Sequence, residues 1–388
     1  MEEIQKLILE IAGELIKTPG HNQLDEYERN TALKMADLLR KNGVDCELLQ
    51  VGATDRLNVA AKIKGKGGLR LLLTTHLDTV PPGGMADAYN PIIRDGRLYG
   101  RGAVDVKGIL ASMAAVMIYL KKHNITPPGD VLFAGVADEE SGSAGMRALV
   151  SSKDLRPDIA VIGEPTNLEV CAAHNGIMWI EVEFFGKATH GSTPDAGINA
   201  VYKANDFIQM IQKQLLPELA ERRHPLTGQS TLNVGLINGG TRPSIVPAKC
   251  IVSFDRRFTP DEAPESVINE LTSLLDHISQ KDPSFRYELR IALGNSDKPL
   301  PPLNTPVDHP LLKRVCELTG NVLGTQPVVK GMAGWTDAAL ANAVWGIPAV
   351  IIGPGDISQA HSNEEYVEIE QLFNAYKIYL ELALSIGR

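Results

Sequence analysis

The chain has 388 residues, 44% hydrophobic and 22% charged, the balance of a globular protein. It is longer than one hydrophobic core usually supports, so two domains are expected. Lys and Arg number 38 against 47 Asp and Glu, a formal charge of −9, which argues against nucleic acid as a partner because phosphate binding needs a basic face. An anionic small molecule stays open, since it needs only one or two local cations.

The N-terminus is an amphipathic helix with Ile4, Leu7, Ile8, Ile11 and Leu15 on one face. Its acidic start does not resemble a signal peptide. A second helix is expected over 26–42, then extended runs over 46–51, 57–63 and 71–75. The last run is continuously apolar, as in a strand buried on both faces. A long helix fits 106–122, followed by strands over 131–136 and 159–162. This alternation predicts an α/β domain with a mostly parallel central sheet flanked by helices. The pattern then changes to a strand over 178–185, a helix over 199–219, strands over 231–237 and 249–256, a helix over 260–280 and a strand over 286–291. That βαββαβ order is ferredoxin-like. A Pro-rich stretch, 298–310, reads as a linker, after which helices over 311–323 and 369–386 flank a strand over 349–352. The expected organisation is a catalytic domain of 1–177 and 294–388 with an inserted α+β domain of 178–293. No apolar run reaches the length of a membrane span. Cys46, Cys171, Cys250 and Cys316 are scattered without a CxxC pair, which suits reduced thiols in a cytoplasmic protein.

Polar residues stand where apolar strands end. The run 71–75 leads into His76-Leu77-Asp78, the run 131–136 into Asp138-Glu139-Glu140, and the run 159–162 into Gly163-Glu164. The strand over 349–352 precedes Gly353-Pro354-Gly355 and then Ala360-His361-Ser362. In a parallel α/β sheet, ligands bind beyond the carboxyl ends of the strands. His76 can ligate a metal with Asp78 supporting its other ring nitrogen, although His-x-Asp alone also fits a polar surface turn. Asp105, in the glycine-flanked loop Gly100-Arg101-Gly102, fits a helix N-cap equally well. Three consecutive acids at 138–140 repel one another unless a cation, or open solvent, relieves them. Together, His and carboxylate ligands without Cys suit catalytic zinc, with manganese or cobalt as substitutes.

The segments LTTHLDTVPPG, YGRGAVDVKGILAS, FAGVADEESGSAG, IGEPTN, GKATHGSTPDAGINAV, DRRFTP and GPGDISQAHSNEEYV resemble the signature blocks of the acetylornithine deacetylase, succinyl-diaminopimelate desuccinylase and carboxypeptidase G family of co-catalytic zinc hydrolases. The resemblance implies two divalent metal ions. His76, Asp105 and Glu164 would hold one, and Asp105, Glu140 and His361 the other, with Asp105 bridging. It makes Glu139 the general base and Asp78 a supporting catalytic residue, while His190 becomes an oxyanion donor that often reaches in from a second subunit. Arg257 would hold a substrate carboxylate. Ser244, where many relatives carry Asn, and Gly334, Thr336 and Gly353 would line the substrate pocket. The implied activity is cleavage of an N-acyl amino acid by metal-activated water, in a homodimer joined through the inserted lid domain. A dipeptidase or carboxypeptidase with the same chemistry is the alternative. A non-catalytic metal-binding regulator is the reading from another class, disfavoured because Glu139 and all five ligands are in place. A nucleotide-binding enzyme ranks last, since the phosphate-binding glycine motifs are absent.

Overall fold

A computed structural model of the chain describes residues 2–152, 155–292 and 299–386. In chain order the first strands are β1 (Cys46–Gln50), β2 (Leu57–Ile63), β3 (Gly68–His76), β4 (Ile92–Arg94), β5 (Arg97–Tyr99), β6 (Gly129–Val136), β7 (Ile159–Ile162), β8 (Val170–His174) and β9 (Gly176–Phe185). They continue with β10 (Arg223–His224), β11 (Gly228–Gln229), β12 (Thr231–Gly239), β13 (Lys249–Phe258), β14 (Arg286–Ile291), β15 (Leu303–Asn304), β16 (Val329–Met332), β17 (Ala349–Ile351) and β18 (Tyr366–Glu368). The α-helices are α1 (Glu2–Ile16), α2 (Arg29–Lys41), α3 (Gly108–Lys122), α4 (Ala144–Ser151), α5 (Ala200–Met210), α6 (Leu216–Glu221), α7 (Pro264–Lys281), α8 (Pro310–Leu323), α9 (Ala338–Leu340) and α10 (Ile369–Ser385).

The chain divides into two compact units. The first has the bounds Met1–Ala173, Leu303–Met332 and Thr336–Arg388, and the second His174–Pro302 and Ala333–Trp335.

In the first unit one large sheet runs in the order β1-β2-β6-β3-β7-β17-β8-β15, with β16 attached to β8. Its centre is parallel, β6 with β3, β3 with β7, and β7 with β17. The neighbours β2 and β1 on one side, and β8 on the other, pair antiparallel. Leu71, Leu72 and Leu73 are buried, as a strand covered on both faces requires. α3 packs against β3, α1 and α10, and it is apolar almost all round because no side of it meets water. The segment Ala103–Lys122, at mean hydropathy 1.7, does reach the length and apolarity of a membrane span, contrary to the sequence expectation; it is 94% buried inside the protein and serves as the core helix.

The second unit has a four-stranded antiparallel sheet in the order β12-β13-β9-β14. α5 packs on β9 and β13 and also touches α7. Counting only the strands of this sheet, the order is second, third, first, fourth, the ferredoxin-like arrangement. The core is built around Phe184, which lies 5.8 Å from Phe207 and 5.6 Å from Phe285 between ring centres. Along β13, Cys250, Val252, Phe254, Arg256 and Phe258 face inward while Asp255 and Arg257 face outward, the period-two alternation of a half-covered strand.

Several elements differ from expectation. α2 starts at Arg29, not 26, because Glu28 turns inward to meet Arg56. The helix over 199–219 is interrupted by a π-helical stretch, Ile211–Leu215. Residues 103–107 form an irregular turn containing a cis Asp105–Val106 peptide, so the long helix begins only at Gly108. The expected linker contains β15, which pairs into the large sheet. Positions 293–298, which hold the expected domain boundary and the start of that linker, lie outside the described residues.

Candidate metal centre and catalytic site

The parallel strands β6, β3, β7 and β17 bring their carboxyl ends side by side, so the segments that follow them converge. His76 closes β3, Glu139 and Glu140 follow β6, and Glu164 follows β7. Asp105 comes from the irregular turn before α3, and His361 from the loop between β17 and β18. Non-glycine residues here adopt left-handed backbone, Asp138 at φ 70° and His361 at φ 61°, the kind of local strain that collects at functional sites.

Two triples of side chains share one member. In His76–Asp105–Glu164 and in Asp105–Glu140–His361, the potential ligand atoms lie within 4.8 Å of one another. Asp105 divides its oxygens between them. Its Oδ1 lies 3.1 Å from His76 Nε2 and its Oδ2 lies 3.1 Å from His361 Nε2. His361 Nε2 is also 3.1 Å from Glu140 Oε1. The His76 side chain is only 1% exposed and that of His361 52%, so the group opens to solvent on the His361 side.

The donor set fits divalent cations. His76 Nδ1 donates to the backbone carbonyl of Asp78 at 3.0 Å. A neutral His76 therefore turns the lone pair of Nε2 towards the Asp105 carboxylate. Two acceptors facing each other at that distance require a positive charge between or upon them. Nitrogen and carboxylate donors without thiolate suit zinc, manganese or cobalt rather than a soft ion.

Electrostatics point the same way. Hydrogen bonds from its ring nitrogen to Asp105 and Glu140 push His361 up to about 10. Burial alone would depress His76, yet its contacts with Asp105 and Asp78 and the charge of Glu164 hold it well above the usual imidazole range. Burial would raise Asp105, but His361 and His76 hold it well below the carboxylate range. Glu139 and Glu164 are driven well above that range, chiefly by burial and then by neighbouring carboxylates. Glu140 is raised more modestly, by burial and by Asp105 against the opposing pull of His361. Asp337 is buried and is pushed up to about 7, mainly by burial. Ionised together, these carboxylates would repel one another unless a cation relieved them.

Asp78 lies where the sequence puts it but makes different bonds. Its carboxylate is 3.5 Å from His76 Nδ1, beyond good hydrogen-bonding distance. Instead Oδ1 accepts from the Glu139 amide and Oδ2 from the Glu140 amide, each at 3.1 Å. The supporting contact to His76 comes from the main chain of Asp78. Its side chain fixes the backbone that carries the expected base and one metal ligand.

Glu365, to which sequence reasoning gave no role, organises the Asp105 turn. Wholly buried, it accepts from the amides of Gly102, Val104 and Asp105 at 3.0–3.1 Å and from Arg101 Nη1 at 2.6 Å. A buried ion pair also supports the base loop, because Arg56 bridges Glu28 at 2.5 Å and Asp138 at 2.8 Å. Nothing in local sequence signals such pairings across 28 and 82 residues of chain; only the position of Glu365 within a recognisable block gave a hint.

The remaining site residues fall as follows. Gly353 is buried, and a Cβ there would sit 2.5 Å from the Glu164 carbonyl. Its amide donates to Thr166 Oγ1 at 3.1 Å. Gly353 thus packs closely against the Glu164 loop. Thr336 is buried and its hydroxyl accepts from the Ala338 amide at 3.3 Å, at the start of α9. Gly334 is exposed. In the second unit His190 is exposed, and its Nδ1 accepts from the Ser192 amide at 3.2 Å. This leaves the proton of a neutral imidazole on Nε2, pointing a donor away from the loop. Ser244 is exposed and adjoins it, its carbonyl accepting from Gly191 at 2.7 Å. Arg257 is a third exposed, and its guanidinium makes a bidentate pair with Asp255 at 2.7 and 3.0 Å.

An open α/β sheet carrying overlapping His–carboxylate triples around a shared aspartate at its strand ends defines a metal-dependent hydrolase. The chain belongs to peptidase family M20/M25/M40, whose family model matches residues 72–385. It is 32% identical over 371 residues to an acetylornithine deacetylase of Shigella sonnei, covering 93% of this chain and 92% of the relative. It is also 32% identical over 334 residues to an acetylornithine deacetylase of Myxococcus xanthus, covering 84% and 83%. The fold matches the crystal structure of aminopeptidase PepT from Bacillus cereus with a TM-score of 0.80 at 19% identity, over 99% of both chains. The protein is a hydrolytic enzyme.

Proposed function

We propose that this enzyme is a cytoplasmic di-zinc deacylase that cleaves the amide bond of an N-acyl amino acid, of the acetylornithine or succinyl-diaminopimelate type. The observation that carries this reading is Asp105 placing one carboxylate oxygen against each of two histidines. His76, Asp105 and Glu164 would hold one cation, and Asp105, Glu140 and His361 the other. Bound there, the pair would supply Lewis acidity and lower the pKa of a shared water towards neutrality. Glu139 takes the proton as water attacks the amide carbonyl and delivers it to the leaving amine. Nε2–H of His190 donates to the developing oxyanion, and Ser244 offers a hydroxyl beside it. Arg257 takes the substrate carboxylate, with Gly334 and Thr336 lining the pocket.

In this reading residues 1–177 and 294–388 form the catalytic domain, and 178–293 form a lid that joins two copies of the chain. Support for a homodimer comes from β12, an edge strand carrying exposed Leu236 and Ile237, 61% and 51% accessible. Such an edge invites pairing across a two-fold axis. The curated relatives favour deacylation over peptide cleavage.

The test is a panel of N-acetyl amino acids, N-succinyl amino acids and dipeptides offered to the metal-loaded enzyme, with free amine as the readout. Turnover of N-acyl amino acids is expected. Turnover of dipeptides alone would replace the deacylase reading with a dipeptidase, and no turnover of any class would revive a non-catalytic metal-binding role.

A further inference from the structure

Arg257 and Asp255 lie two residues apart on the outward face of β13, which puts their side chains next to each other. The Arg257 guanidinium uses its Nε and Nη2 edge on both oxygens of Asp255, at 2.7 and 3.0 Å. That is the fork geometry a substrate carboxylate would seek. Asp255 also has a second donor. Trp179, its cross-strand partner on β9, gives its indole Nε1–H to Asp255 Oδ2 at 3.2 Å. Neighbouring Arg256 cannot stand in for Arg257, because it faces the core and is committed to Glu262 at 2.5 Å. The outward face therefore offers an incoming anion a neutralised pair instead of a free cation.

We propose that Asp255 sets the affinity of the Arg257 site: it is an internal carboxylate that occupies Arg257 until a substrate carboxylate displaces it. This rests on the assignment of Arg257 to the substrate carboxylate. The pair is about one-third exposed on both sides, so solvent screens it and displacement is inexpensive. After displacement Asp255 keeps the Trp179 indole as a partner. A ligand lacking the carboxylate cannot replace both hydrogen bonds and leaves the internal pair closed. The device thus weakens the grip on every carboxylate by the strength of one part-exposed ion pair and leaves the binding of a ligand without one untouched.

The experiment compares the wild-type enzyme, Asp255→Asn and Arg257→Ala on N-acetylornithine and on its α-carboxamide, measuring KM and kcat separately. Asn keeps an oxygen for Trp179 and removes the competing charge. In Asp255→Asn, KM for the carboxylate substrate is expected to fall about two- to five-fold, the range of a part-exposed ion pair, with KM for the carboxamide unchanged. Binding of the carboxylate substrate to wild-type enzyme should also shift the Trp179 indole N–H resonance, because Asp255 gives up Arg257 while still accepting from the indole. A rise in KM for the carboxylate substrate would show that Asp255 positions Arg257, and would overturn the proposal. So would equal changes for both substrates. If Arg257→Ala raises KM for the carboxylate substrate but Asp255→Asn lowers nothing, only the competition is wrong; if Arg257→Ala changes nothing, the underlying assignment of Arg257 falls.

Discussion

Loading the metal centre should expel protons, and the structure says roughly how many. Ligating imidazoles must be neutral and ligating carboxylates ionised. In the metal-free chain Asp105 and Glu140 hold His361 protonated up to about pH 10. Asp105, Asp78 and Glu164 hold His76 protonated in spite of its burial. Both histidines therefore carry a proton near neutrality that a cation must displace. Glu164, raised by burial and by Asp105, adds to the release. About two protons, one from each histidine, should leave when both sites fill near pH 7, with any from Glu164 in addition. Two protons make the combined affinity rise about 100-fold per pH unit, or about 2.7 kcal/mol. The sign is fixed by the direction of the shifts. A histidine raised from 6.5 to about 10 stabilises the metal-free fold below the first value and ceases to do so as pH rises through the second. Raised Glu139 and Glu164 act in the same direction. The metal-free enzyme should thus lose stability between neutral pH and pH 10, while the loaded enzyme should not. Calorimetric titration of zinc into metal-free protein, in buffers of different ionisation enthalpy, counts the protons directly. A release below one proton would mean that the histidines are already neutral and that the two triples do not meet around Asp105 as described.

Three further outcomes follow from named contacts. Glu139→Gln should lower kcat by about 10²–10⁴-fold, the usual share of general acid–base catalysis, while retaining both metal ions by elemental analysis; near-normal turnover would remove Glu139 from its role. Glu365→Gln should cost about 3 kcal/mol in urea unfolding, because a buried carboxylate serving three amides and Arg101 becomes neutral and leaves Arg101 unpaired, and unchanged stability would show that the Asp105 turn holds itself. Arg256→Ala should cost about 3 kcal/mol, at the low end for a broken buried pair since Glu262 retains Arg222, Ser230 and Thr259, whereas Arg257→Ala should cost under about 1 kcal/mol; equal losses would contradict the inward and outward faces assigned to β13.

The large elements were legible because each follows one rule. The unbroken apolar run 71–75 could only be a strand covered on both faces, and the period-two pattern of 178–185 only a half-covered one. His76, Glu140 and Glu164 stood out for a related reason, since His or acid after an apolar strand is costly without a cation, whereas the full set of five, with Asp105 and His361, came from the resemblance to the zinc-hydrolase blocks. The outcome was harder to read wherever the decisive partner is distant in sequence. Nothing near 26–29 announces that Glu28 will be drawn in by Arg56, so the start of α2 was placed too early. β4, β5 and β18 are three residues each, too short for a pattern to form, and β18 finds β5 across more than two hundred residues of chain. The apolar helix after Asp105 was recognised as long, but hydropathy alone does not separate a core helix from a membrane span; only the layers around it do.

Asp78 shows most clearly what spacing can and cannot convey. A His and an acid two residues apart at a strand end lie on the same side of the chain, which suggests that the carboxylate supports the imidazole. That inference treats the segment as an isolated strand. In the sheet, β3 runs parallel to β6 with His76 beside Val136, so the segment leaving β6 passes over Asp78 and offers it the free amides of Glu139 and Glu140. Two amide donors at 3.1 Å outcompete an imidazole at 3.5 Å, and His76 turns to the backbone carbonyl instead. Asp78 therefore couples the β3 end, which supplies a metal ligand, to the β6 end, which supplies the expected base and another ligand. Its removal should disturb Glu139 and Glu140 through the backbone they share before it disturbs His76.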